Sequence, residues 1–252
     1  MAHPLALTGE RTLPGVAGEE YWFARHEAAY HWVVTTYAAR IAGSVVVEAG
    51  SGEGYGAALL RAAGARTVVA LEYDEAAVAH SRSAYPHVTT TRANLAAMPL
   101  TPARADVLVS MQVVEHLWDL AGFLRDSRSA LRHGGIAVFS TPNRPVFSPG
   151  LARGAKPTNP FHVEELDAAQ LADRLVTAGF TDVAIHGLHH GPRLRAWEAD
   201  HGTDLVAGQV HATMTGRSDP ELDAFVAGVT ADDFVMGAAD HAHDLVATAV
   251  RP

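Results

Sequence analysis

Cysteine is absent from the 252 residues, and lysine occurs once, as Lys156. Without cysteine there is no disulfide, no thiolate nucleophile and no sulfur-built zinc site. Any general base or metal ligand must therefore come from histidine, aspartate and glutamate. Positive charge is scarce too: 19 Lys and Arg face 28 Asp and Glu, a formal charge of −9. A protein that grips a polyanion needs clustered cations, and here the arginines are scattered among acids, so nucleic acid is not expected as a partner. No run of about 18 apolar residues exists, so no membrane partner or spanning helix is expected. The opening Met-Ala-His-Pro-Leu lacks the basic and apolar stretches of a secretory signal. The expected location is cytoplasmic.

Histidine is what the chain has in excess, fifteen in all, and hydrophobic residues make up 48%. That suffices for a sizeable core. Short β-branched runs alternate with helical patterns, the signature of a parallel sheet with crossover helices. Strands are expected near 44–48, 67–72, 88–92, 105–110 and 135–140, with helices near 54–63, 75–84, 119–132 and 167–179. Gly134-Gly135 and Gly179 read as helix stops. Residues 141–161 hold five prolines and predict an irregular loop across the top of the sheet. A strand near 181–187, inserted helices over 192–235 and a returning strand over 244–250 complete the pattern. Before the first strand, 19–40 is an aromatic-rich helical segment. The expected layout is one domain over 1–252, with a lid segment (1–43), a cofactor-binding core (44–140) and acceptor-site loops, insertion and last strands (141–252).

Glu48-Ala-Gly50-Ser-Gly52-Glu-Gly54 follows the first strand directly and opens a helix. Glycines there let the backbone turn sharply and approach a ligand closely. A lone glycine-rich turn is a generic device, and the dinucleotide spacing G-x-G-x-x-G fits only by shifting the register. Two further strand ends carry polar groups. Glu72, beside Tyr73, can accept both hydroxyls of a ribose. Asn94 and Leu95 can meet an adenine edge through a side chain and a backbone amide. Arg25, in Tyr21-Trp-Phe-Ala-Arg25-His26, is a candidate for a carboxylate of the same ligand, although its helix could equally be stapled to the domain by its aromatics.

Together these motifs resemble the class I S-adenosylmethionine-dependent methyltransferases. The resemblance implies a Rossmann-like α/β fold: a mostly parallel seven-stranded sheet with helices on both faces, a helical lid and an insertion before the last strand. It implies S-adenosylmethionine held by Glu48, Gly50, Gly52, Gly54, Glu72, Tyr73, Asn94, Leu95, Gln112 and Arg25. It also places the reacting groups in Met111-Gln-Val-Val-Glu115-His116-Leu-Trp-Asp119. There His116, with Glu115, could serve as general base. Alternatively Glu115, His116 and His162 could hold Mg²⁺ or Mn²⁺, as in the small-RNA 2′-O-methyltransferases, whose E-x-x-E-H this stretch resembles with Gln112 in the first position.

A wider set of segments is similar to the sugar 1-O-methyltransferases of mycobacterial methylmannose polysaccharide biosynthesis. It runs from Leu7-Thr-Gly-Glu-Arg-Thr through Asn159-Pro-Phe-His and His190-Gly-Pro-Arg to the terminal Asp244–Pro252. That likeness implies a small carbohydrate acceptor, a short 3-O-methylated α-1,4-mannoside methylated on its reducing-end 1-OH. Trp22, His26, His189, His190 and Arg193 are the candidates for holding it, although surface-loop roles fit the last three as well. His241 and His243 read as solvated. A quinone or phenolic acceptor, a silent cofactor-binding protein and a nicotinamide oxidoreductase are the competing readings. A homodimer is left open.

Overall fold

The computed structural model describes residue 5, residues 11–215, residue 217 and residues 219–252. The stretch 7–10 that opens the sugar-enzyme likeness lies outside the described residues. In chain order the elements begin with helices α1 (Glu20–Thr36) and α2 (Ala38–Ile41), then β1 (Val45–Ala49), α3 (Tyr55–Ala62), β2 (Thr67–Glu72), α4 (Glu75–Ala84), β3 (Thr89–Arg92) and β4 (Ala105–Met111). They continue with α5 (Leu120–Ala130), β5 (Leu131–Pro142), α6 (Arg144–Phe147), α7 (Ala168–Thr177) and β6 (Thr181–His190). The last third holds α8 (Pro192–His201), α9 (Leu205–Thr215), α10 (Pro220–Val226), β7 (Phe234–Ala238) and β8 (Asp244–Val250). No helix among the described residues is long and apolar enough to cross a membrane.

The strands form one sheet in the order β3-β2-β1-β4-β5-β8-β6-β7. The first five pair in parallel, whereas β8 runs antiparallel between β5 and β6. The central strands are buried along nearly their whole length, as a parallel sheet covered on both faces requires. The order reverses between β1 and β4. Open α/β sheets bind ligands at such a switch point, outside the carboxyl ends of the strands.

The eighth strand corrects the expected seven. β7 pairs antiparallel with β6 from His186↔Ala238 to His190↔Phe234, inside or just past a stretch that reads as helical insertion. Phe234-Val-Met-Gly-Ala is short and carries a glycine, so its own sequence gives little strand signal; pairing along the β6 edge sets its conformation. A second correction concerns Gly134-Gly135. Helix α5 ends at Ala130, and the two glycines lie inside β5. There the β4 register shifts between Ala105↔Leu131 and Val107↔Ile136, and Gly134 at φ +70 absorbs the irregularity. Gly179 does follow the end of α7 at φ +88, its amide donating to the Val176 carbonyl at 2.9 Å.

Helix α1 buries Tyr21, Ala24, Arg25, Ala28, Ala29 and Val33, a stripe at helical spacing. Tyr21 and Val33 are fully covered, each worth roughly 1.5–3 kcal/mol for its burial. Beside that stripe, His26 and the buried Tyr30 reach the cleft.

Candidate functional site

A cavity of about 320 Å³ opens at the switch point, walled by the segments that follow β1, β2 and β4 and by residues between Arg11 and Tyr30. Gly50 turns the chain at the end of β1 with φ +79, and a Cβ there would overlap the Val113 side chain. Gly52, φ +54, meets nothing within 4 Å. Its glycine therefore answers to backbone conformation and to whatever fills the cavity, not to crowding from the protein. Glu72, half-buried, accepts from the Gly52 amide through Oε2 and from the Asp74 amide through Oε1, both at 2.8 Å. An ionised carboxylate offers about four acceptor sites, so two backbone bonds fix it and leave capacity for ribose hydroxyls. Tyr73 stands exposed beside it, and Leu95 contributes apolar surface.

Three of the expected cofactor residues do not line this cavity. The Asn94 side chain accepts from the Ala96 amide at 2.9 Å and caps the turn at Leu95–Ala97. Gly54 heads α3 and faces Ser81 and Tyr85. Glu48 is fully buried beneath the cavity, with the Tyr30 hydroxyl donating to Oε1 at 2.5 Å. Burial pushes its carboxyl up to about 8. Sequence reasoning missed Arg11, Thr12, Tyr30, Glu53 and Tyr55, all of which line the cavity. Arg11 forms an ion pair with Asp74, and Thr12 lies 3.3 Å from His26 Nδ1, so the segment before α1 crosses the cleft as a strap. Tyr30, one turn beyond His26 on a helix, carried a usable signal. Glu53 and Tyr55 belong to the glycine loop itself.

At the end of β4, Gln112 adopts φ +55, an unusual conformation for this residue type. Its side-chain amide donates to Ser140 Oγ at 3.2 Å and to Asp244 Oδ1 at 3.1 Å, away from Glu115. The chain then forms a single turn at Val114–His116, which ends the strand alternation and lets Glu115 and His116 meet. Donor atoms of Glu115, His116 and His162 lie within 4.8 Å of one another. Each imidazole is oriented from behind. His116 Nδ1 donates to the Phe161 carbonyl at 3.2 Å, and His162 Nδ1 to Glu165 Oε1 at 2.7 Å; neither acceptor can supply the proton in its usual state. Metal-bound histidines are held in this way. Glu115 is 1% exposed, and burial raises its carboxyl above the usual range, so a nearby cation would relieve a real cost. The donor set fits a divalent ion: the carboxylate suits Mg²⁺, and two imidazoles lean toward Mn²⁺ or Zn²⁺. An ion would compete with the Asn159 amide, which now reaches His162 Nε2 at 3.1 Å.

Residues 21–185 match the family of methyltransferase domains. A probable S-adenosylmethionine-dependent methyltransferase of Mycobacterium tuberculosis is 50% identical over 98% of this chain and 90% of its own length. The chain belongs to the S-adenosylmethionine-dependent methyltransferases. A ubiquinone biosynthesis O-methyltransferase of a Methylobacterium species is 32% identical over 59% of the chain and 66% of that protein. The crystal structure of an S-adenosylmethionine-dependent methyltransferase from Mesorhizobium loti superposes with a TM-score of 0.58 at 20% identity, over 89% of this chain and 99% of that one. That likeness concerns the fold. S-adenosylmethionine is therefore the cofactor, and the cavity at the switch point is where a methyltransferase of this fold would hold it.

Several residues expected at the site of this methyltransferase are engaged elsewhere. Arg25 is buried in a bidentate pair with Asp244, its Nε donating to Oδ2 at 2.5 Å, and its guanidinium lies over the Phe147 ring at 4.7 Å. Burial opposes its charge, but the Asp244 carboxylate outweighs this and holds its pKa above the usual value. It does not wall the cofactor cavity. Trp22 packs edge-on against Tyr21 at 5.1 Å, while His26 does reach the cavity. His190 is interior, bonded to the Tyr21 hydroxyl at 2.5 Å and to Glu198 at 3.0 Å. His189 donates to the Ala238 carbonyl across the β6–β7 pair, and Arg193 pairs with Asp233. His189 and His190 belong to β6 and Arg193 to the start of α8, and none of the three lines the cavity. His243 is not solvated. It stacks on His190 with centroids 3.8 Å apart, and burial, with the charges of His190 and Arg25, pushes it down to about 3. His241 is exposed.

Proposed function

We propose that this methyltransferase transfers the methyl group of S-adenosylmethionine to a sugar hydroxyl, the reducing-end 1-OH of a short 3-O-methylated α-1,4-mannoside. The observation that carries the proposal is the convergence of Glu115, His116 and His162 within 4.8 Å, with His116 in the wall of the cofactor cavity. A sugar hydroxyl is too weakly acidic to ionise at neutral pH and needs a base or a cation beside it. The anomeric hydroxyl is the most acidic on the ring, because the ring oxygen withdraws charge. In an in-line displacement the acceptor oxygen bonds to the methyl carbon as the carbon–sulfur bond breaks, giving the methyl glycoside, S-adenosylhomocysteine and a proton. His116, held by the Phe161 carbonyl, is the group placed to take that proton. Were a divalent ion to bind Glu115, His116 and His162 instead, His116 Nε2 would be its ligand and the ion would acidify the hydroxyl in place of that base. The backbone-anchored Glu72 and the glycine loop orient the donor, and positioning of this kind is a large part of the rate gain available to a methyl transfer.

The test compares a mannobioside with a free 1-OH against the same compound carrying a 1-O-methyl group. The proposal expects one methyl added to the first and none to the second, read by mass spectrometry. A second methyl on the blocked compound would move the reaction to another hydroxyl. A quinone or other phenolic acceptor is the second reading, favoured by the 32% identity with a ubiquinone biosynthesis O-methyltransferase. Turnover of a catechol, with no mannoside methylated, would select it.

A further inference from the structure

A single exposed apolar side chain is ordinary, whereas large aromatic side chains exposed together beside a reacting cluster make a patch that a ligand can cover. Trp118 is 91% exposed and Phe161 55% exposed. Both flank the reacting cluster, Trp118 two residues after His116 and Phe161 directly before His162. The two segments are tied together: the Val163 amide donates to the Glu115 carbonyl at 2.7 Å, and His116 Nδ1 donates to the Phe161 carbonyl at 3.2 Å. Numbering rises along one segment as it falls along the other, so they pass antiparallel, and each segment carries one of the two exposed rings close in sequence to the cluster. His116 belongs to the cavity wall. The two aromatic residues thus belong to the segments that carry His116 and His162, beside the place where an acceptor must sit to meet the methyl group.

We infer that Trp118 and Phe161 form an acceptor subsite that takes the C–H face of a pyranose ring one or more units beyond the sugar being methylated. The inference rests on the sugar reading above. A pyranose has an apolar C–H face and a belt of hydroxyls at its edge. An aromatic ring desolvates the first and leaves the second in water, with weak C–H···π contacts adding to the burial. A neutral ligand asks for no charged partner, and the two aromatic rings offer none. Chain length of the acceptor is then read at the rim, while the reacting hydroxyl is read at the cluster.

The experiment measures kcat and KM for methyl transfer to mannosides of two and four units, using wild type, Trp118→Ala, Trp118→Tyr and Phe161→Ala. Trp118→Ala should raise KM for the longer acceptor about tenfold, equivalent to about 1.4 kcal/mol. The effect should be smaller for the shorter one, with Trp118→Tyr restoring most of the loss. Titrating the tetrasaccharide should change the tryptophan fluorescence of wild type and not that of Trp118→Ala. Because Trp118 buries almost nothing, both Trp118 variants should melt with wild type. Normal mannoside turnover with KM unchanged in both alanine variants would overturn the subsite and leave the proposed reaction standing. Failure of wild type to use any mannoside would overturn the proposed reaction, and the subsite with it. A dimer seen by size-exclusion for wild type and lost in Trp118→Ala would make a second copy the occupant, and would also overturn the subsite.

Discussion

Glu72 and Glu115 both stand beyond the carboxyl ends of parallel strands on one cleft, yet they are held in opposite ways. Glu72 is half-buried and pinned by two backbone amides. Glu115 is buried, and beyond its own backbone amide it meets side chains: the Thr141 hydroxyl at 3.1 Å and the imidazole of His116 at 3.9 Å. Backbone donors cost nothing to reorganise, so the cofactor flank is complete before any ligand arrives. The acceptor flank gathers a buried carboxylate and two imidazoles from separate segments, with burial working against the carboxylate's charge. One flank is a preformed cradle, the other an assembly that a cation and an acceptor would complete.

The comparison is broken most severely at Asp244, which joins the two flanks by holding both Arg25 and Gln112. Asp244→Ala leaves the buried Arg25 charge unpaired and should destabilise the fold by about 3–5 kcal/mol, measured by urea unfolding. A loss below about 1 kcal/mol would show that water reaches Arg25. Glu72→Ala attacks the cradle alone. It should weaken S-adenosylmethionine binding by about 1.5–3 kcal/mol in calorimetry, with unchanged affinity refuting the ribose assignment.

Glu48, beneath the cradle, tests whether burial alone governs a carboxylate here. Its folded pKa of about 8 lies above the ordinary 4.5, so the native state binds the proton more tightly than the unfolded chain. Its contribution to stability is fully present below about 4.5 and is lost as pH rises toward 8. Melting curves of Glu48→Gln should therefore fall less steeply over that window than those of wild type; parallel curves would contradict the assignment. The smallest effect is expected at Arg193, whose pair with Asp233 is solvent-exposed on the arginine side. Arg193→Ala should cost no more than about 1 kcal/mol and leave turnover intact, which would confirm that the β6–β7 edge stands apart from the cleft.

The cradle was legible in the sequence because its signals are local: glycine spacing after one strand and a carboxylate at the end of the next. Glu115, His116 and His162 were also legible as residue types, and the structure brings them together. What sequence could not reveal was pairing over long separations. Arg25 has a charge suited to a carboxylate, but its partner is Asp244, 219 residues away. His190 reads as a rim residue until β6 carries it inward to Tyr21 and His243. Arg11 and Thr12 come from a segment with no periodicity, and only their return across the cleft makes them part of the cavity. β7 is a strand by virtue of its neighbour.

Chelation separates the two flanks in one experiment. The account predicts that EDTA leaves S-adenosylmethionine affinity unchanged while methyl transfer falls and returns with added Mg²⁺ or Mn²⁺, and that His162→Ala raises the metal concentration needed. Full turnover in EDTA, with a rate that rises through the imidazole range near about 6.5, would contradict it and leave His116 acting as the base alone.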